Sequence, residues 1–106
     1  MQIDQHVTIK VAEPWDFSSP EGNNIFSGVV LDYTNSLNGG AYLIKTNKTF
    51  ILNGISVNYV TAIYRDKHKD DRMLNIATIP EEIVNQFRKI DSISDKLKFI
   101  IIGSVI

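Results

Sequence analysis

The amino-acid sequence predicts an α+β or mainly β domain. Its body is a curved antiparallel sheet, a partly open barrel-like meander of 6–7 strands, with one helix at about 79–90 packed on it. Three observations carry this expectation. Apolar residues alternate with polar ones near the start of the chain, the period of a half-buried strand. Asn53-Gly54 sits between Phe50-Ile51-Leu52 and Ile55-Ser56-Val57, the strongest short-range hairpin signal. A single segment, containing Ile83, Val84, Phe87 and Ile90, shows helical rather than strand spacing. The 106 residues match the usual size of one domain, so 1–106 is expected to share one core.

The elements follow in order. Residues 3–11 place Ile3, Val7, Ile9 and Val11 on one face and His6, Thr8 and Lys10 on the other, which reads as a strand. Residues 12–24 collect two prolines, a glycine and three acids, the composition of a loop. Residues 25–34 form the second strand, with Ile25, Val29, Leu31 and Tyr33 on one side. Residues 35–40, rich in Asn and Gly, form a turn because these residues accept positive φ at low cost. Three strands follow at 41–46, 49–52 and 55–64, with Asn47-Lys48 as a weaker turn before the Asn53-Gly54 hairpin. Strands this close in sequence pair antiparallel, because parallel pairing needs a long crossover.

Residues 65–72 are a mixed-charge connector, and 74–77 read as a short strand. Thr78-Ile79-Pro80-Glu81 then has a capping-box pattern: Thr78 would accept from the backbone while Glu81 reaches back. Proline is tolerated there because a helix's first turn has no use for its missing donor. The chain ends with an apolar strand at 97–106 whose two faces both look buried, so its removal is expected to cost the fold. Gly28 and Gly103 fall inside strands, where they permit the bends that curvature requires.

Composition removes several chemistries. The chain has no cysteine, which excludes disulfides, Fe–S clusters and thiol nucleophiles. The six glycines match neither the dinucleotide nor the P-loop pattern, and Glu81 and Glu82 at the helix start would repel a phosphate. Only His6 and His68 offer an imidazole base, and neither has a triad around it or metal-ligand spacing. The sequence therefore predicts no catalytic residues, no metal site, no cofactor and no enzyme activity. The opening Met1–His6 segment lacks a signal peptide's basic start and apolar core, and no apolar run reaches the ~20 residues of a spanning helix. The expected location is the cytoplasm, away from membranes.

Charge is distributed unevenly. Residues 1–34 hold five acids (Asp4, Glu13, Asp16, Glu21, Asp32) against Lys10 alone, a net of −4 within a chain whose overall charge is −1. Residues 35–69 hold five bases (Lys45, Lys48, Arg65, Lys67, Lys69) against Asp66, a net of +4. Opposed fields of this kind steer and orient partners. In the acidic third, Glu13-Pro14-Trp15-Asp16-Phe17 joins an aromatic anchor to flanking acids in a loop, a composition suited to recognition. The expected partner-binding residues are Glu13, Trp15, Asp16, Glu21 and Asp32, and the expected partner is a basic protein.

Size and charge together are analogous to the immunity proteins with which bacteria neutralise nuclease-type toxins. The expected function is accordingly a small non-enzymatic inhibitor of such a toxin. The alternative is a small β-barrel binding single-stranded nucleic acid, with Tyr33, Tyr42, Tyr59, Tyr64 and Phe50 as stacking platforms and the basic middle third as the groove.

Overall fold

Alternation at the start of the chain is realised as β1, His6–Val11, with Val7, Ile9 and Val11 turned inward. The computed structural model describes residues 1–12, 18–19, 22–36 and 39–106. A two-residue ribbon, β2 (Ser18–Ser19) with β3 (Gly22–Asn23), follows β1. Then come β4 (Ile25–Thr34), β5 (Ala41–Leu52), β6 (Ile55–Tyr64), β7 (Leu74–Thr78), a 3₁₀ helix (Glu81–Ser92), a one-turn 3₁₀ segment (Ser94–Lys96) and β8 (Lys98–Val105). Every strand pairing is antiparallel, and β1-β4-β5-β6-β7-β8 closes on itself.

The predicted meander is therefore present, but the barrel is closed rather than partly open. Closure comes from β8, which pairs with β7 on one side and with β1 on the other through Ile9↔Val105, Lys10↔Ser104 and Val11↔Gly103. Closing the sheet removes both of its long edges. Two glycines make the tight curvature possible. A Cβ on Gly28 would lie 2.4 Å from the Lys45 carbonyl oxygen and 2.7 Å from Ile44 Cγ2, and one on Gly103 would lie 2.5 Å from Ile76 Cγ1. Because the obstacle at Gly28 is backbone of the neighbouring strand, it cannot rotate away. Gly28→Ala is expected to destabilise by about 3 kcal/mol in urea unfolding. A loss within ~0.5 kcal/mol, the ordinary range of neutral surface changes, would contradict so tight an approach.

Several local expectations change. β1 begins at His6, and Ile3 lies outside it in an exposed turn where Asp4 has φ 70°. The strands expected at 41–46 and 49–52 are one continuous β5. Asn47-Lys48 makes no turn there; the β5–β6 register instead shifts between Lys45 and Phe50. Asn53-Gly54 does form the hairpin turn, with φ 52° and 81°, the two positive angles of a type I′ turn. In β4 a bulge between Val30 and Asp32 switches the face, so Tyr33 pairs across the sheet with the inward Tyr42 rather than sharing a side with Val29.

Two apolar cores lie back to back through the barrel wall. The inner one fills the barrel with Val7, Ile9, Phe26, Val30, Ile44, Val60, Leu74 and Ile76 among others. Outside the wall, Ala41 and Leu43 of β5 and Ala77 and Ile79 at β7 form a second core with Phe87, Ile90, Ile93 and Leu97. The expected helix is thus in place, but it spans 81–92 with 3₁₀ geometry. Val84, Phe87 and Ile90 recur every third position, which suits three residues per turn, and Lys89, at φ −107° and ψ 37°, kinks the segment before Ile90. The expected capping box is absent: Pro80 is the N-cap and no side chain caps the helix. The Thr78 hydroxyl donates instead to the Lys98 carbonyl at 3.2 Å.

The helix packs on β4 and β6 and shares the outer core with Ala41 and Leu43 of β5 and Ala77 of β7, while β8 lies outside that core. β8 is consequently half-exposed instead of buried on both faces: Ile101 and Gly103 point inward, while Ile100 and Ile102 face outward at 58% and 46% exposure. No helix among the described residues is long and apolar enough to cross a membrane.

Candidate binding groove

β7 runs alongside β6 only as far as Val60↔Thr78. One more rung follows, in which Ile79 N–H donates to the Tyr59 carbonyl at 3.2 Å. Pro80 then ends the pairing. It has no N–H to give and sits at φ −58°, ψ 138°, which turns the chain off the sheet into the 3₁₀ helix. The first part of β6 is left paired with β5 alone, through Phe50↔Val57, Ile51↔Ser56 and Leu52↔Ile55. Among the described residues no strand lies against 55–58 on its other side.

The space where β7 would have continued is a groove of about 370 Å³. Ile55, Val57, Ile79 and Pro80 line it with apolar surface, Ser56 and Asn58 add polar groups, and Glu81, Glu82 and Lys98 stand around it. Glu81 and Glu82 are exposed, and neither enters an ion pair among the described residues. The absence of a capping box is what leaves the Glu81 carboxylate facing solvent. Asn58 is held from the β5 side, where Thr49 Oγ1 donates to its Oδ1 and Thr46 Oγ1 donates to its carbonyl at 3.2 Å.

The partly buried carboxylates Asp32 and Asp70 already have partners. Asp32 accepts a two-pronged contact from Arg88, Nε to Oδ2 at 3.0 Å and Nη2 to Oδ1 at 2.9 Å, and also accepts from the Tyr33 N–H. This fork ties β4 to the helix, helped by the Thr34 hydroxyl donating to the Arg88 carbonyl. A partner therefore meets Asp32 as half of an ion pair. Asp70 accepts from the Arg72 backbone and guanidinium, which holds its carboxyl below the usual range. Of the expected contact residues, Glu13, Trp15, Asp16 and Glu21 lie outside the described residues, so Asp32 is the one whose position is seen.

Three of the four tyrosines, Tyr33, Tyr42 and Tyr64, gather in one cluster. Tyr33 and Tyr42 rings lie 4.9 Å apart and Tyr42 and Tyr64 rings 5.9 Å apart. Tyr42 donates to the Met1 carbonyl, and Tyr64 donates to Asp71 at 2.8 Å. Burial, reinforced by the Asp71 hydrogen bond, pushes Tyr64 well above the ordinary tyrosine range, so it stays a proton donor. Phe50 is buried against Phe26, and Tyr59 leans into the outer core. These rings pack on one another. His6 and His68 are exposed and separate, and no three His, Asp or Glu side chains among the described residues gather as metal ligands do.

In the sequence the parts of the groove carry other meanings. Thr78-Ile79-Pro80-Glu81 reads as a helix start and Ile55-Ser56-Val57 as half of a hairpin. The available signal was the proline just after a strand, which ends a ladder on one side. Comparison of the chain with protein-family models, curated proteins and solved structures returns no match.

Proposed function

We propose that the chain is a non-enzymatic protein-binding module that captures a basic protein, with neutralisation of a nuclease-type toxin as its biological form. The observation that carries this reading is the groove beside 55–58, where apolar walls and an open strand stand next to two carboxylates and one base, Lys98, none of them in an ion pair among the described residues, so that acid is in excess. Burying an apolar contact inside a ring of complementary charge is how specific protein interfaces divide affinity from steering. The acid-rich first third adds charge of the same sign. The barrel interior is filled with apolar side chains, so a partner is received on the outside of the wall.

The nucleic-acid alternative has less to support it. Lys45 and Lys48 lie in the middle of β5, whereas Arg65, Lys67 and Lys69 follow the end of β6 that pairs with the start of β5. At ~3.3 Å per residue, Lys48 and Arg65 stand about 20 Å apart along the strands. Lys69 does sit over the Tyr33 ring, its Nζ 5.6 Å from the ring centre, but Lys45 and Lys48 stand apart from it on β5, and the Tyr33, Tyr42 and Tyr64 rings are engaged with each other.

The test is calorimetry of the full chain against a panel of purified basic nuclease domains, paired with nuclease assays. We expect a one-to-one complex that abolishes nuclease activity and is indifferent to added oligonucleotide. Replacing Glu81 and Glu82 together by Lys should slow association roughly tenfold at low salt, with the difference shrinking as salt rises. Binding of oligonucleotide alone, weakened by neutralising Lys45 and Lys48, would overturn the reading.

A further inference from the structure

We propose that the groove takes its ligand by strand addition: an extended basic segment of the partner protein lies along 55–58 of β6, in the place that β7 vacates at Pro80. This inference rests on the reading just given and specifies how that site binds.

The hairpin sets the direction of the backbone groups. A two-residue turn makes Leu52 and Ile55 a hydrogen-bonded pair, so Ser56↔Ile51 is the next, non-hydrogen-bonded pair. The N–H and C=O of Ser56 therefore point away from β5, toward the groove. On the interior side the strand is already anchored, because Val57 is buried in the barrel core. The edge is short and unpaired on the side away from β5 among the described residues.

The length of the site limits what fits. Residues 55–58 span about 13 Å of extended chain, room for a few residues of an added strand and too little for a sheet. A short edge bordered by charges is a common defence against indiscriminate pairing. Here the same charges select. Glu81 and Glu82 open the helix that follows Pro80 and border the groove together with Lys98, so its rim holds two acids against one base and favours lysine or arginine. Apolar ligand residues, alternating with the basic ones, would meet Ile55, which is 43% exposed. Main-chain pairing then gives affinity while side-chain alternation gives selectivity.

The experiment uses the full chain and a synthetic peptide of alternating lysine and valine, with a glutamate–valine peptide as control. We expect the lysine peptide to bind and the glutamate peptide to bind roughly tenfold more weakly. On saturation, hydrogen exchange of the Ser56 amide should slow by about tenfold or more. N-methylating alternate peptide amides on the edge facing β6 should weaken binding roughly tenfold, while methylating the opposite edge should leave it unchanged. Ser56→Pro removes the same donor without touching a β5–β6 hydrogen bond, and should weaken the lysine peptide equally at an unchanged melting temperature. If that variant does not fold, the methylated peptides test the same bond on the native chain.

Three results overturn the inference: no binding of the lysine peptide, equal binding of both methylated forms with an unprotected Ser56, or Ser56 already protected in a dimer of the free chain. The nuclease panel decides the parent reading separately. Capture of a basic domain without protection of Ser56 sinks strand addition and leaves the module reading standing. Strand addition by the peptide with no basic domain bound does the reverse.

Discussion

Removing β8 leaves a chain with no cooperative unfolding transition. β8 is a central strand of a closed ring, bonded to β7 and to β1, and its loss reopens both seams. Ile101 leaves the inner core, with Phe99 and Val105 packed against it, and Ile9, Val11, Leu74 and Ile76 lose the strand that shields them. At ~1.5–3 kcal/mol for each buried aliphatic or aromatic side chain, together with the ladder hydrogen bonds of two seams, the loss reaches the whole of a typical domain's ~5–15 kcal/mol. Circular dichroism and urea titration of a chain ending at Leu97 check this. A sharp transition with native near-ultraviolet signal would mean that β8 decorates a barrel already closed without it.

Phe87→Ala is the single substitution expected to cost most, at about 3–5 kcal/mol. Phe87 is 1% exposed and is the largest side chain of the outer core, where it meets Ala41, Leu43, Ala77 and Ile79 from the barrel wall. A 3₁₀ helix has poorer hydrogen-bond geometry than an α-helix, so packing has to hold it in place. The cavity left by the missing ring also loosens Ile90 and Ile93 one and two turns further along. Thermal unfolding should shift down by more than about 12 °C for a domain of this size. A shift of only a few degrees would show that the helix is held mainly by the Arg88–Asp32 fork. Double substitution of Phe87 and Arg88 separates the two contributions, since distant independent effects add and shared ones do not.

The same two cores show which parts of the structure were legible beforehand. Ile83, Val84, Phe87 and Ile90 were read as a helix's inner face, and all four contact the outer core, because their spacing fits either helical period closely over two turns. The regular helix was shorter than that stripe suggests: Lys89, at φ −107° and ψ 37°, kinks it, and Ile93 sits beyond its end as the C-cap. Asn53-Gly54 named its own turn type, since few residues accept two successive positive φ angles. Asn47-Lys48 carried a similar composition and became part of a register shift within β5. Turn-forming residues permit a turn; flanking strands decide whether one is made.

Site residues were less legible than the fold. Asp32 was expected at a partner surface on the strength of its charge, yet Arg88, 56 residues away, takes both of its oxygens. Glu81 was assigned to a capping box, and Pro80 at the N-cap position released it. In both cases charge was visible and the partner was not. Ion pairing between distant residues follows from the way β4 and the helix meet across the wall, which no local pattern records.

By itself the sequence determined the antiparallel meander, the hairpin at Asn53-Gly54, the apolar helix that follows Pro80, and the absence of cysteine chemistry. These are local properties: side-chain periodicity, the φ preferences of Asn, Gly and Pro, and composition act within a few residues. Tertiary structure alone decided that the sheet closes, that β8 joins β7 to β1, and that 55–58 is left with one open edge. Those outcomes depend on twist and register summed around six strands, and on Gly28 and Gly103 letting neighbouring backbone approach. The groove is the result of that closure, because β6 is longer than the β7 segment that covers it.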